Sequence, residues 1–126
     1  KEHILGSAGA SLRSEQVTIV PNAVDAEEFP IQDRDPALAV RLGIPQGAVV
    51  IGYISSMVTY ESNETLIEGF KVAAGRTAAP IHLLLVGGGS HLDALQEHAR
   101  KVGVENVTFT GAVPHDDVLR YYGLID

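Results

Sequence analysis

Three short strand-like runs, each followed by a turn and then by a segment with helical spacing, constrain this chain more than any other feature. The first run lies within Ala48–Ser55, the second is Ile81–Val86, and the third is Asn106–Thr110. The first two are continuously apolar (Val49, Val50, Ile51, Tyr53 and Ile54 in one case), not alternating. Such a pattern belongs to strands of a parallel sheet covered on both faces. The segments between them carry apolar residues three and four apart: Leu66, Ile67 and Phe70, then Leu92, Leu95 and Ala99, then Val118, Leu119 and Tyr122. That spacing predicts helices. Strand and helix in strict alternation predict an α/β fold, a parallel sheet with right-handed crossovers and helices packed on it.

Local signals refine the boundaries. Asp35-Pro36 predicts a helix start, a capping carboxylate followed by proline in the first turn, and Leu42-Gly43 predicts its end. Ser62-Asn63-Glu64 opens the next helix, which runs to about Ala74. Ser90 is expected to cap the following one, and Gly103 to stop it. Upstream, Glu2–Leu12 reads as a helix and Val17–Val20 as a short strand ended by Pro21-Asn22. Residues 1–16 are assigned to a lead-in helix or linker and residues 17–126 to an incomplete α/β domain, with a composition shift near Val20–Asp25. No internal repeat or low-complexity stretch interrupts it. The last segment, Asn106 to Asp126, reads as a strand and a helix heading for a further strand, so the chain is expected to be a piece of a longer protein. An incomplete sheet of this kind is expected to self-associate through its open edge.

Composition excludes several classes. A net charge of −7 argues against a nucleic-acid-binding surface. There is no cysteine, hence no disulfide framework and no thiolate metal site. The apolar runs are too short to span a bilayer. The expected location is the cytoplasm, or the inner face of a membrane as a peripheral protein.

Chemistry is expected where strands end, since ligands of open α/β sheets bind at the carboxyl ends of the strands. Gly87-Gly88-Gly89-Ser90 follows the second strand and precedes a helix. Glycines there let backbone N–H groups approach an anion at a helix N-terminus; equally, they serve a tight turn that needs positive φ. The turn lacks the lysine of a Walker loop and the third glycine of a dinucleotide fingerprint. Ser55-Ser56-Met57-Val58-Thr59-Tyr60-Glu61, after the first strand, offers hydroxyls and amides to phosphate oxygens, or simple turn and capping chemistry. The five histidines have no metal-binding spacing and read as solvated, except His115, which follows a strand-end turn. Asp116-Asp117 complement a helix dipole. No catalytic triad or carboxylate pair is present, and no metal site is expected.

These pieces, in this order, resemble the GT-B glycosyltransferases of family 4, the group 1 transferases. Val17-Thr18-Ile19-Val20-Pro21-Asn22-Ala23-Val24-Asp25 with Phe29 is similar to the family's V-x-V-I-P-N-G-V-D-x-x-x-F, with Ala23 in place of glycine. Thr65-Leu66-Ile67-Glu68-Gly69-Phe70 is similar to L-I-E-A-F, Leu83–Gly89 to L-x-I-V-G-x-G, and Val107–Val113 to V-x-F-x-G-x-V. Tyr121-Tyr122 and Asp126 complete the set. The resemblance covers residues 17–126 and implies a Rossmann-like donor-binding domain of GT-B type. It implies a retaining enzyme that transfers a sugar from a nucleotide-sugar donor (UDP-, GDP- or ADP-linked) to an acceptor of unknown kind, without a metal. The acceptor would sit on a separate N-terminal domain, and the catalytic residues lie outside this chain, so the piece alone is expected to be inactive. The donor-site residues implied are Ser55, Ser56, Glu61, Gly87, Gly88, Gly89, Val113 and His115. Two departures stand out. Ser56 and Glu61 occupy positions where many members carry arginine and lysine, although Ser56–Ser62 resembles a variant, S-L-x-x-Y-E-G, found in part of the family. A non-catalytic nucleotide-binding or regulatory module with the same fold is the alternative.

Overall fold

The structure is a computed structural model that describes residues 13–126. The helix expected at Glu2–Leu12 lies outside the described residues. The chain divides into two compact units, Lys1–Pro30 and Ile31–Asp126.

In the first unit, Ser14–Gln16 form a single 3-10 turn. The Arg13 N–H donates to Gln16 Oε1 at 2.8 Å, and Asp25 Oδ1 accepts from the Glu27 N–H at 2.9 Å. Val17–Val20 is not a strand. Its β-branched residues favour extended backbone, but no ladder partner lies beside them among the described residues, and Ile19 and Val20 are exposed.

The second unit is the α/β domain. Three parallel strands, β1 (Val49–Ile54), β2 (Ile81–Val86) and β3 (Val107–Phe109), lie in the order β1-β2-β3. Val49 faces Ile81 and Ile54 faces Val86, while Leu83–Leu85 pair with Val107–Phe109. Alternation along β2 sends Leu84 and Val86 to one face and Leu83 and Leu85 to the other, all fully buried. The first face packs on α1 (Pro36–Arg41) and α4 (Val118–Tyr122) through Leu38, Ala39, Tyr121 and Leu124. The second packs on α2 (Asn63–Ala74) and α3 (Leu92–Val102) through Ile67, Phe70, Leu95 and Ala99. Each fully buried leucine contributes on the order of 2 kcal/mol of apolar transfer free energy, so β2, flanked on both sides, anchors the unit.

The expected helix limits hold for α1. Asp35 Oδ1 accepts from the Leu38 N–H at 3.0 Å, and Pro36 sits in the first turn. Gly43, at φ +71°, ends the helix, with N–H groups of Gly43 and Ile44 returning to Val40 O and Ala39 O. Gly103, at φ +74°, ends α3 with the same reversal. Asp35 Oδ2 also binds Arg120 of α4 at 2.8 Å, so one carboxylate joins the two helices on that face. This contact and the Leu38 N–H hold the Asp35 carboxyl below its usual range.

Three expectations need correction. β1 is not covered along its length: Val49 and Ile51 are exposed, while Val50 is buried and Tyr53 and Ile54 are half-buried, with β1 at one end of the β1-β2-β3 order. Ser90 does not cap α3. The helix begins one residue later, after His91, and no side chain caps it. His82 is not solvated but 4% exposed, since its place in a continuous buried strand leaves it no route to water. Its Nε2 lies 2.8 Å from Thr108 Oγ1, and Thr108 spends its hydrogen on Leu42 O at 2.9 Å. The imidazole therefore donates from Nε2, which leaves a buried Nδ1 without a partner.

At the outer edge of β1 the Asp126 N–H donates to Val50 O at 3.1 Å, and the Asp126 carboxylate accepts from the Val50 N–H at 2.9 Å. Arg34 braces this corner through Asp126 and the carbonyls of Leu124 and Ala48.

Candidate functional site

The three strands deliver three loops to one end of the sheet: Ser55–Ser62 after β1, Gly87–His91 after β2, and Thr110–Pro114 after β3. The first two are knitted backbone to backbone. The Ser55 N–H donates to Val86 O, the Met57 N–H to Gly88 O, and the His91 N–H returns to Met57 O, at 3.1, 3.0 and 3.0 Å. This crossing explains the glycines individually. A Cβ on Gly87, whose φ is +131°, would lie 1.9 Å from Ser55 O, and one on Gly89 would lie 2.2 Å from Met57 O. A Cβ on Gly88 would press on the Ala112 backbone and side chain at 3.0–3.1 Å, so the third loop also leans on the turn. The Gly87 N–H is occupied by Gly111 O and Thr110 Oγ1, at 3.1 and 3.2 Å. The N–H groups of Gly88, Gly89 and Ser90 have no partner among the described residues. The turn therefore has the geometry of a tight crossing and also offers unpaired donors at the start of α3.

Ser55 is half-buried, with its hydroxyl 3.4 Å from Ser56 O, and Ser56 is exposed. Glu61 closes a 3-10 turn, Thr59–Glu61, and accepts a hydrogen bond from the Tyr53 hydroxyl. That carboxylate raises the Tyr53 phenol above its ordinary pKa. Ser62, next in the chain, has φ +53°, and Asn63 behind it is buried with its amide on Met57 Sδ. Val113 packs against the core on the α1 and α4 face, and exposed His115 begins the 3-10 turn His115–Asp117. Thus Ser55, Ser56 and Gly87–Gly89 form one interlocked cluster, Glu61 stands beside it on Tyr53, and Val113 and His115 belong to the third loop.

Three participants were not singled out from the sequence. Thr110 locks the glycine turn, Tyr53 holds Glu61, and His91 Nε2 reaches Glu64 Oε1 at 2.5 Å across α3 and α2. The imidazole keeps the Glu64 carboxyl below its usual range. A second pair, His98 and Glu68, lies on the same two helices at 3.2 Å. No single-chain periodicity marks such pairs, because they form only when the helices dock.

The loops at this end contain neither lysine nor arginine, and no group of three or more metal-ligating side chains converges among the described residues. A cavity of about 640 Å³, lined by Arg34, Val40, Ile44, Pro45, Val49 and Asp126, lies at the opposite end of β1. No described helix is long and apolar enough to cross a membrane.

Residues 35–126 match the family model described as glycosyl transferases group 1. Two curated relatives are GDP-mannose-dependent alpha-(1-6)-phosphatidylinositol monomannoside mannosyltransferases. The one from Mycolicibacterium smegmatis is 29% identical over 109 residues, and the one from Mycobacterium tuberculosis H37Rv is 30% identical over 112. Each alignment covers 85% of this chain and 28% of the relative, so the chain spans a little over a quarter of their length. Among solved structures, a glycosyltransferase from Rickettsia africae superimposes with a TM-score of 0.73 at 14% identity, covering 91% of this chain and 31% of that one. The lipopolysaccharide outer core galactosyltransferase WaaB in its apo form gives a TM-score of 0.57 at 18% identity, covering 91% and 30%. These likenesses carry the fold.

Proposed function

The chain belongs to the glycosyl transferases group 1 family, and from that premise we propose that it forms the first part of the donor-binding domain of a retaining, sugar-transferring enzyme. The observation that carries the reading is the family match itself, which takes in all three strands and all three strand-end loops. The interlocked Ser55–Met57 and Gly87–Gly89 segments supply a rigid floor with unpaired N–H groups for a nucleotide-sugar diphosphate. Ser55, Ser56, Glu61, Val113 and His115 line its approaches. The donor we favour is GDP-mannose, the donor named for the curated relatives. The acceptor and the catalytic groups are held by other parts of the full-length protein, and this chain by itself does not turn over.

Glu61 supports a second reading, a nucleotide-binding or regulatory module without catalysis, because a carboxylate beside a diphosphate opposes its binding. One assay separates the two. The full-length protein is incubated with GDP-mannose, UDP-glucose and ADP-glucose in the presence of a crude lipid and glycan extract as acceptor source, and nucleotide release is followed together with donor binding by calorimetry. Release from GDP-mannose is expected. Binding without release of any nucleotide favours the module, and neither binding nor release overturns both.

A further inference from the structure

We infer that His91 is a positioning residue for donor binding, clamping the first strand-end loop onto the glycine turn through its bond to Glu64. This role rests on the donor-site reading above. His91 is the residue where two ties meet. Its backbone N–H holds Met57 O, the carbonyl that passes over Gly89, and its ring holds Glu64 in the first turn of α2. Met57 follows Ser56 directly, and Met57 and Glu64 bracket the segment that carries Glu61, so one residue of the glycine-turn element holds the neighbouring loop at two points. The loop is also tied by the Ser55 N–H to Val86 O and Met57 N–H to Gly88 O bonds at its start, by the Glu61 N–H to Val58 O turn, and by the Tyr53–Glu61 and Asn63–Met57 contacts; among the side-chain contacts, the His91–Glu64 bond joins its far end to the glycine-turn element. The His91 side chain is only 20% exposed and Glu64 37%, so the bond is shielded and charge-assisted when the ring is protonated.

The charged groups around the pair are Glu64 and Glu68 of α2, His98 and Asp93 of α3, and Glu61 at the mouth of the loop, which is already bound by Tyr53. His98 Nε2 stands 3.2 Å from Glu68 Oε1 but makes no hydrogen bond to it, whereas His91 Nε2 bonds Glu64 Oε1.

The test compares the full-length wild type with His91→Ala, His91→Gln and Glu64→Gln, measuring donor KM and kcat with GDP-mannose. Amide hydrogen exchange of the segment 55–62 is measured alongside. His91→Ala is expected to raise KM about tenfold, the effect of losing one hydrogen bond to a charged group, with kcat within about twofold. Exchange in 55–62 should accelerate. His91→Gln keeps a donor to Glu64 and should restore most of KM. An unchanged KM in His91→Ala, or protection of 55–62 equal to wild type, overturns the role. Equal KM losses in the Ala and Gln variants overturn it too, since a merely space-filling residue would give that. Absence of donor binding by the wild type is the distinct result that removes the donor-site reading and this role with it, whatever the exchange data show.

Discussion

Ser62 is the one described residue other than glycine with a positive φ, at +53°, and its replacement by glycine is expected to stabilise the α/β unit. A side chain in the left-handed region crowds its own carbonyl, at about 1–2 kcal/mol. Glycine removes that crowding but gives up more backbone entropy on folding, about 0.5–1 kcal/mol. Nothing else is lost: the Ser62 side chain makes no capping hydrogen bond to α2, and the Ser62 O to Thr65 N–H bond at 3.0 Å is backbone. The net gain is about 0.5–1 kcal/mol, which for a domain of this size raises Tm by roughly 2–8 °C. Circular dichroism at the helix band, scanned against temperature, measures it. Ser62→Ala is the control, because it keeps the Cβ and therefore the strain, and it should stay close to wild type. If Ser62→Gly melts no higher than wild type, or if Ser62→Ala gains as much, the assignment of strain to this residue is wrong.

Two glycines should respond in opposite ways to alanine. Gly69, inside α2, has open space where a Cβ would stand, with nothing within 4 Å, and Gly69→Ala should gain about 0.5–1 kcal/mol. Gly89→Ala must displace the Met57 carbonyl 2.2 Å away and should lower Cm in urea by an amount equivalent to about 2 kcal/mol or more. Equal effects in denaturant titrations would refute the contact geometry. His82 makes stability pH-dependent: burial lowers its pKa in the folded chain, so the unfolded chain, whose imidazole titrates near about 6.5, binds more protons below that pH. Stability contributed by neutral His82 is therefore complete above about 6.5 and lost as pH falls through the lower folded value, and His82→Gln, which keeps the donor to Thr108, should flatten that part of the Tm–pH curve relative to wild type.

What was legible in the sequence is what neighbours in the chain determine. Asp35-Pro36 and Gly43 fix α1 by local hydrogen bonding and local φ, and the structure places both as read. The strand-like runs give all three strands: the first two are mostly apolar, and the third is β-branched and aromatic, in segments too short for a helix. What was not legible depends on docking. Val49 and Ile51 look like core residues, yet are exposed, since strand order and helix docking, which one segment does not encode, decide which apolar side chains are covered. Val17–Val20 has strand propensity without a strand partner. His82 carried a usable signal, its place within a buried run, but its polarity argued the other way until Thr108 supplied a partner. At the candidate site the glycines were visible, while their separate obligations to Ser55, Ala112 and Met57 were not, since each is set by a loop distant in sequence.

Charge limits what these loops do by themselves. A nucleotide-sugar diphosphate is anionic, and its departure on sugar transfer adds charge that must be stabilised. The segments 55–62, 87–91 and 111–117 contribute no lysine or arginine, and three carboxylates, Glu61, Asp116 and Asp117, lie among them. Asp117 faces Arg120 at 3.8 Å, and Glu61 is held by the neutral hydroxyl of Tyr53. The neutral donors of the glycine turn can orient phosphate oxygens, but partial charges on N–H groups do not cancel a full anion. For the donor reading to hold, cations must reach the diphosphate from outside these loops. This chain would then set the shape of the donor floor and leave charge stabilisation to the rest of the full-length protein. That division of labour accounts for both the Ser56 and Glu61 departures and the close backbone interlock, since a floor without cations must place its few donors accurately to bind at all.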